Sequence, residues 1–147
     1  RDPTWPSLWG NLANVYVDMG AYDSAEAAIA QSEKIKPLWE GLEQRALRRI
    51  RAMRMRESEG VPFDLPPEWQ SECDRENPFG YLQGDTECLE LLAIAGQVDE
   101  LARRMETFPP GHSMGMAFDP VWDFVIEDPR IRARKDAEMA ILAGPAP

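Results

Sequence analysis

One five-residue stretch reads as reaction chemistry. Gly111-His112-Ser113-Met114-Gly115 fits G-x-S-x-G. In that pattern a serine nucleophile sits on a strained turn between a strand and a helix. The chemistry would be acyl transfer, with a histidine from elsewhere in the chain as base. Neither flank supplies the context: Phe108-Pro109-Pro110 precedes and Met116-Ala117-Phe118-Asp119-Pro120 comes after. His112 is the only histidine and lies within the motif itself. The stretch therefore reads as a glycine-rich loop between helices, and the chain is expected not to be an enzyme.

Other candidates are weaker. Cys73, Cys88 and His112 fall short of the four ligands of a structural zinc site. The carboxylate pairs Glu72/Asp74 and Asp99/Glu100 lack the spacing of a calcium loop. No cofactor or metal is implied. The two cysteines are too few for a disulfide framework and read as buried or half-buried thiols in a reduced compartment. A single disulfide is the alternative for an exported chain. Six arginines, Arg45, Arg48, Arg49, Arg51, Arg54 and Arg56, crowd one segment. Arg45, Arg49 and Arg56 fall on one flank of an apolar stripe (Leu42, Ala46, Ile50, Met53), and Arg51 and Arg54 on the other. That pattern suits stems lying along a packed helix with charged ends in water, paired with some of the 26 acidic residues. An anionic partner is the alternative use.

Composition sets the frame. At 147 residues the chain has the size of one domain. Its net charge of −10 repels nucleic acid and acidic membranes, so neither is an expected partner. No apolar run reaches the roughly 18 residues of a membrane span. Arg1-Asp2-Pro3-Thr4-Trp5-Pro6 shows neither an initiator methionine nor a signal-peptide pattern, so the chain reads as a fragment of a longer cytoplasmic protein.

The elements that position these residues form a repeat. Trp9, Leu12, Ala13 and Tyr16 share one helical face, and Gly20 can end that helix. Ala25, Ala28, Ile29 and Ser32 make a narrow stripe on the next helix, and Pro37 separates this hairpin from the helix after it. The steps Tyr16–Gly20–Ala25–Ile29 recur as Leu92–Gly96–Leu101–Met105. Between them lie a helix over 38–56 and a turn-rich stretch over 61–80 with one short helix from Pro67 to about Asp74. Helices over 86–95 and 98–108 come next, then a loop over 109–116. Asp119-Pro120 and Asp128-Pro129 each start a helix, with Asp as cap and Pro at the first position. The last helix runs to about Leu142. No segment has a sustained period-two apolar pattern, so the fold class is all-α.

Trp9, Leu12, Ala13, Tyr16, Gly20, Ala25, Ile29 and Pro37 stand in register with the tetratricopeptide repeat (TPR), which they resemble; that repeat is a helical hairpin of about 34 residues. Ala13 replaces the consensus Gly, and Ile29 the consensus Phe. The Asp-Pro-x-Trp-Asp ending resembles the closure of TPR arrays in bacterial signalling proteins, departing from it at Ile131 and Ala133-Arg134-Lys135. The resemblance implies an α-solenoid of antiparallel hairpins with a long irregular insertion: a repeat over 6–39, a degenerate repeat with an inserted loop over 40–81, a repeat over 82–115, and capping helices over 119–143. It implies a non-catalytic scaffold that binds a protein or peptide on a concave surface. Ser7, Gly10, Asn14, Val17 and Asp18 hold the inward-facing places, and Arg45 and Arg49 join them as partner-binding candidates. Some relatives grip a peptide carboxylate there with Lys and Asn. Asn14 matches that Asn, but Gly10 stands in place of the Lys, so the resemblance does not extend to the clamp. Trp39 and Trp69 mark either a binding groove or packing in the core or between repeats. The alternative to a partner-binding scaffold is an intramolecular or homo-oligomeric packing domain with no outside ligand.

Overall fold

The computed structural model describes residues 6–35, 40–73, 83–107 and 119–144. It is all-helical, with no strand among the described residues. The order is α1 (Pro6–Asp18), α2 (Tyr22–Ile35), α3 (Glu40–Glu59), α4 (Pro67–Cys73), α5 (Gln83–Ala95), α6 (Val98–Met105), a 3₁₀ turn (Pro120–Phe124) and α7 (Pro129–Ala143). The chain forms two compact units, Arg1–Met55 and Arg56–Pro147, each with its own core.

In the first unit α1 and α2 form an antiparallel hairpin. Gly20 ends α1 at φ 70°, a left-handed conformation that a side chain would strain. Its N–H bonds to the Val17 carbonyl at 3.0 Å, and the Ala21 N–H reaches back to the Tyr16 carbonyl at 2.8 Å. These are the two bonds of a Schellman motif, which satisfies carbonyls the helix leaves open. Ala13 and Ala25 are both fully buried, and the small side chains let the two helices approach closely. Val17, Tyr22, Ala28, Ile29 and Ile50 complete the core, with Trp9, Leu12, Tyr16, Ala46, Leu47 and Met53 packed against it. The expected α3 stripe is thus found at Ala46, Ile50 and Met53. Leu42's side chain and Pro37 lie outside the described residues.

The second unit is built around α5. From Cys88 to Ala95 every residue is buried, Glu90 included. A helix apolar on all sides must be enclosed, and α4, α6 and the 3₁₀ turn all pack on this one. Gly96 (φ 70°) ends it with the same two bonds as at Gly20: Gly96 N–H to Ala93 at 3.1 Å and Gln97 N–H to Leu92 at 3.0 Å. The first turn of the next helix also repeats, Ala25 N–H to Ala21 in one hairpin and Leu101 N–H to Gln97 in the other, both at 3.0 Å. Downstream, Asp119 accepts from the Val121 N–H at 3.0 Å and Asp128 from the Arg130 N–H at 2.9 Å, each just before a Pro at the first helical position.

The cysteines require a correction. Cys73 at the end of α4 and Cys88 in α5 are joined as a disulfide with Cα atoms 5.5 Å apart, not held as two thiols. A cross-link closing a loop of about 15 residues stabilises by roughly 3 kcal/mol through the unfolded state. Trp69, one of the two groove candidates, is buried and is a core residue. Trp39 lies outside the described residues, as does the whole Gly111–Gly115 stretch.

Two substitutions probe this architecture. Ala25→Leu should lower stability by about 1–3 kcal/mol through overpacking against α1, while the exposed Ala27→Leu should stay within about 0.5 kcal/mol of wild type. Urea midpoints with unchanged m-values measure both. The two glycine turns separate two effects. A Cβ at Gly20 meets nothing within 4 Å, so Gly20→Ala should lose only the roughly 1–2 kcal/mol of left-handed strain. A Cβ at Gly96 would lie 3.0 Å from the Val61 Cβ. That stretch of chain is tethered by Phe63 N–H to the Ala95 carbonyl at 3.1 Å and cannot easily yield. Gly96→Ala should therefore unfold at a clearly lower urea concentration than Gly20→Ala.

Candidate binding surface

The partner-binding residues read from the sequence separate in the structure. Asn14 is exposed on α1. Val17, expected to face a partner, is 1% exposed and belongs to the α1–α2 core, so it presents no surface. The reason is geometric: at about 100° per residue, Val17 falls beside Ala13 on the face that closes against α2. Asp18 is half exposed but engaged, accepting a 3.0 Å hydrogen bond from Arg49 Nη2, whose own side chain is only 12% exposed. Arg45 is half-buried, Gly10 is exposed, and Ser7's side chain lies outside the described residues.

The structure also exposes an apolar stripe along α1 and the turn after it. Leu8, Val15 and Met19 are 48%, 51% and 71% exposed. Steps of seven and four put them on one side of the helix. Exposed Asn11 borders the stripe, with Asn14 beyond it and Asp18 already held by Arg49. An apolar strip with amide groups beside it can take an apolar side chain or a helix of a partner and hydrogen-bond its edges. The signal was present in the spacing, since Leu12, four residues after Leu8 and three before Val15, continues the same apolar side down to the hairpin core.

The arginines of α3 divide by unit. In the first, Arg54 donates to Glu26 and to Asp23, both at 2.7 Å, with its guanidinium 5.9 Å from the Tyr22 ring centroid. Arg49–Asp18 and Arg54–Glu26/Asp23 thus lie on opposite flanks of the Ala46–Ile50–Met53 stripe, one gripping α1 and the other α2. Pairs open to solvent on at least one side contribute about 1 kcal/mol or less each, so their main effect is to fix how α3 lies against the hairpin.

In the second unit Arg56 has a different task. Its Nη1 donates to the Ile94 carbonyl at 2.8 Å, and its guanidinium stacks 4.1 Å from the centroid of Phe124. Burial draws its pKa below the ordinary arginine value, yet arginine stays charged in proteins. A cation at a helix C-terminus is favourable in itself. On α6, Glu100 accepts from both Arg103 and Arg104, and the Arg103 bonds foremost hold its pKa down to about 2. Arg104 also donates to the Cys73 carbonyl at 3.0 Å, and Arg130 of α7 bonds Asp128 and Asp99. These charges are engaged inside the unit. Among the described residues no group of three potential ligands is placed to hold a metal, and no helix is long and apolar enough to cross a membrane. Set against protein-family models, curated proteins and solved structures, the chain gives no match.

Arg56 supplies the sharpest test of these assignments. Arg56→Met keeps the apolar stem but leaves the Ile94 carbonyl without its donor, at a cost of about 1–3 kcal/mol. Exposed Arg132, whose carboxylate partner Glu127 is 3.3 Å away and 93% exposed, is the control: Arg132→Met should lie within about 0.5 kcal/mol of wild type. Thermal or urea unfolding of the two variants checks the difference.

Proposed function

We propose that this chain is a TPR-like helical-repeat module acting as a non-catalytic scaffold in a bacterial regulatory protein, with the solvent face of α1 as the surface that meets a protein or peptide. The observation that carries the reading is the recurrence of one hydrogen-bonded turn. Gly20 and Gly96 end their helices with the same pair of backbone bonds, and the next helix begins in the same register after each. A hairpin of this kind buries one side and leaves the other for its neighbours. On α1 that free side carries Asn14 and Asn11 beside Leu8, Val15 and Met19.

A second reading has its own support. Three large apolar residues exposed in a row on one helix are also what an intramolecular or homo-oligomeric packing surface presents. The occupant would then be another part of the same protein or a second copy, with no outside ligand.

One experiment separates the two. A photo-crosslinking residue is placed in turn at Asn14 and at Val15 in the full-length protein, with Ala27 on the exposed side of α2 as control. Adducts to a different polypeptide at Asn14 and none at Ala27 are the outcome expected of a scaffold. A self-adduct, together with a dimer by light scattering that Val15→Glu dissolves, selects the packing reading. Absence of any adduct at Asn14 and at Val15 removes the α1 face from both.

A further inference from the structure

The Cys73–Cys88 pair has a consequence for where this protein works. Both residues are almost fully buried, at 7% and 6% exposure. They lie on the inner faces of their helices: Trp69, four residues before Cys73, is 5% exposed, and Leu91 and Leu92, three and four after Cys88, are 3% and 1% exposed. The backbone of Cys73 is held independently of the sulfur, because Arg104 donates to its carbonyl at 3.0 Å and Glu100 in turn fixes Arg104 at 2.7 Å. Packing of α4 on α5, with the Arg104 bond from α6, thus brings the two Cα atoms to 5.5 Å, within bridging distance.

We infer that Cys73–Cys88 is a permanent structural disulfide acquired during folding, and that this unit matures and functions in an oxidising compartment. Disulfides that persist are a feature of such compartments, whereas those of reducing ones are transient and must be reached by a thiolate. Here the folded apolar surface denies that access. Formation is a two-electron oxidation by a protein or small-molecule disulfide. One cysteine thiolate attacks a sulfur of the oxidant and gives a mixed disulfide. The second cysteine thiolate then displaces the oxidant's sulfur from the mixed disulfide, so the two cysteines lose two protons and two electrons and the oxidant is reduced to a dithiol or, for an acyclic small-molecule disulfide, to two thiols. The exchange has to precede or accompany docking of α4, since the sulfurs are shielded afterwards. This departs from the cytoplasmic expectation and is independent of what binds α1.

The test is the thiol state of the full-length protein in the cells that make it. Cells are quenched in acid, and the protein is unfolded, alkylated with N-ethylmaleimide and mapped by peptide mass. No adduct at Cys73 or Cys88 without reductant, and one at each after reduction, is the expected result. Adducts at both without reductant overturn the inference. A second measurement concerns shielding. Dithiothreitol should reduce the bond at least ten-fold more slowly in the native protein than in unfolding urea. Equal rates would show a bond open to exchange and would equally overturn the structural role.

Discussion

The enclosure of α5 is the constraint on which the second unit depends. Burying a helix on all sides gains apolar contact but strands its last four carbonyls away from water, where each unmet acceptor costs free energy. All four are met. Leu92 and Ala93 accept from Gln97 and Gly96 in the turn, Ile94 from the Arg56 side chain, and Ala95 from the Phe63 N–H. Gln97 does a second job, its side-chain amide donating to the Phe63 carbonyl at 2.8 Å. The stretch that reads from its prolines as an inserted loop is therefore pinned against the helix end at both the donor and the acceptor of one residue. Gly96 is required twice over, by its left-handed backbone and by the approach of Val61.

The first unit solves a simpler problem. Two short helices meet through alanines, and a third lies over them with charges on both flanks. The apolar stripe supplies the free energy and the ion pairs supply orientation. A net charge of −10 leaves acidic groups to spare for an arginine-rich helix. Arg49 and Arg54 engage Asp18, Asp23 and Glu26 in this way, and the surface left over on α1 is apolar and amide in character.

What could be read from the sequence was local. The steps around Gly20 and Gly96 are set by helix geometry and by a conformation that favours glycine, so both turns were legible. So were the Asp-Pro starts at 119–120 and 128–129, where one carboxylate and one missing N–H decide the outcome. Contacts between distant segments were not legible. Nothing in the spacing of Cys73 and Cys88 says that α4 docks on α5. Arg56 looks like its neighbours on α3 until the Ile94 carbonyl is placed opposite it. Glu138, a charged residue of α7, is fully buried and bonded by Arg134 at 3.0 Å. Val17 stands four residues after Ala13, so helix geometry alone turns it toward α2; the expectation that it faces a partner came from the resemblance and not from that spacing.

The carbonyl caps of α5 also say where this chain can be divided. Two of the four donors lie before the helix, at Arg56 and Phe63, and the boundary between the compact units falls just ahead of Arg56, inside α3. A cut at the glycine that ends α3, the natural place by eye, would discard Arg56 and expose the end of the most buried helix. The modular joint of this protein is thus set by hydrogen-bond ownership and not by where a helix stops. During synthesis the same order means that both long-range donors have already left the ribosome when the helix they serve emerges.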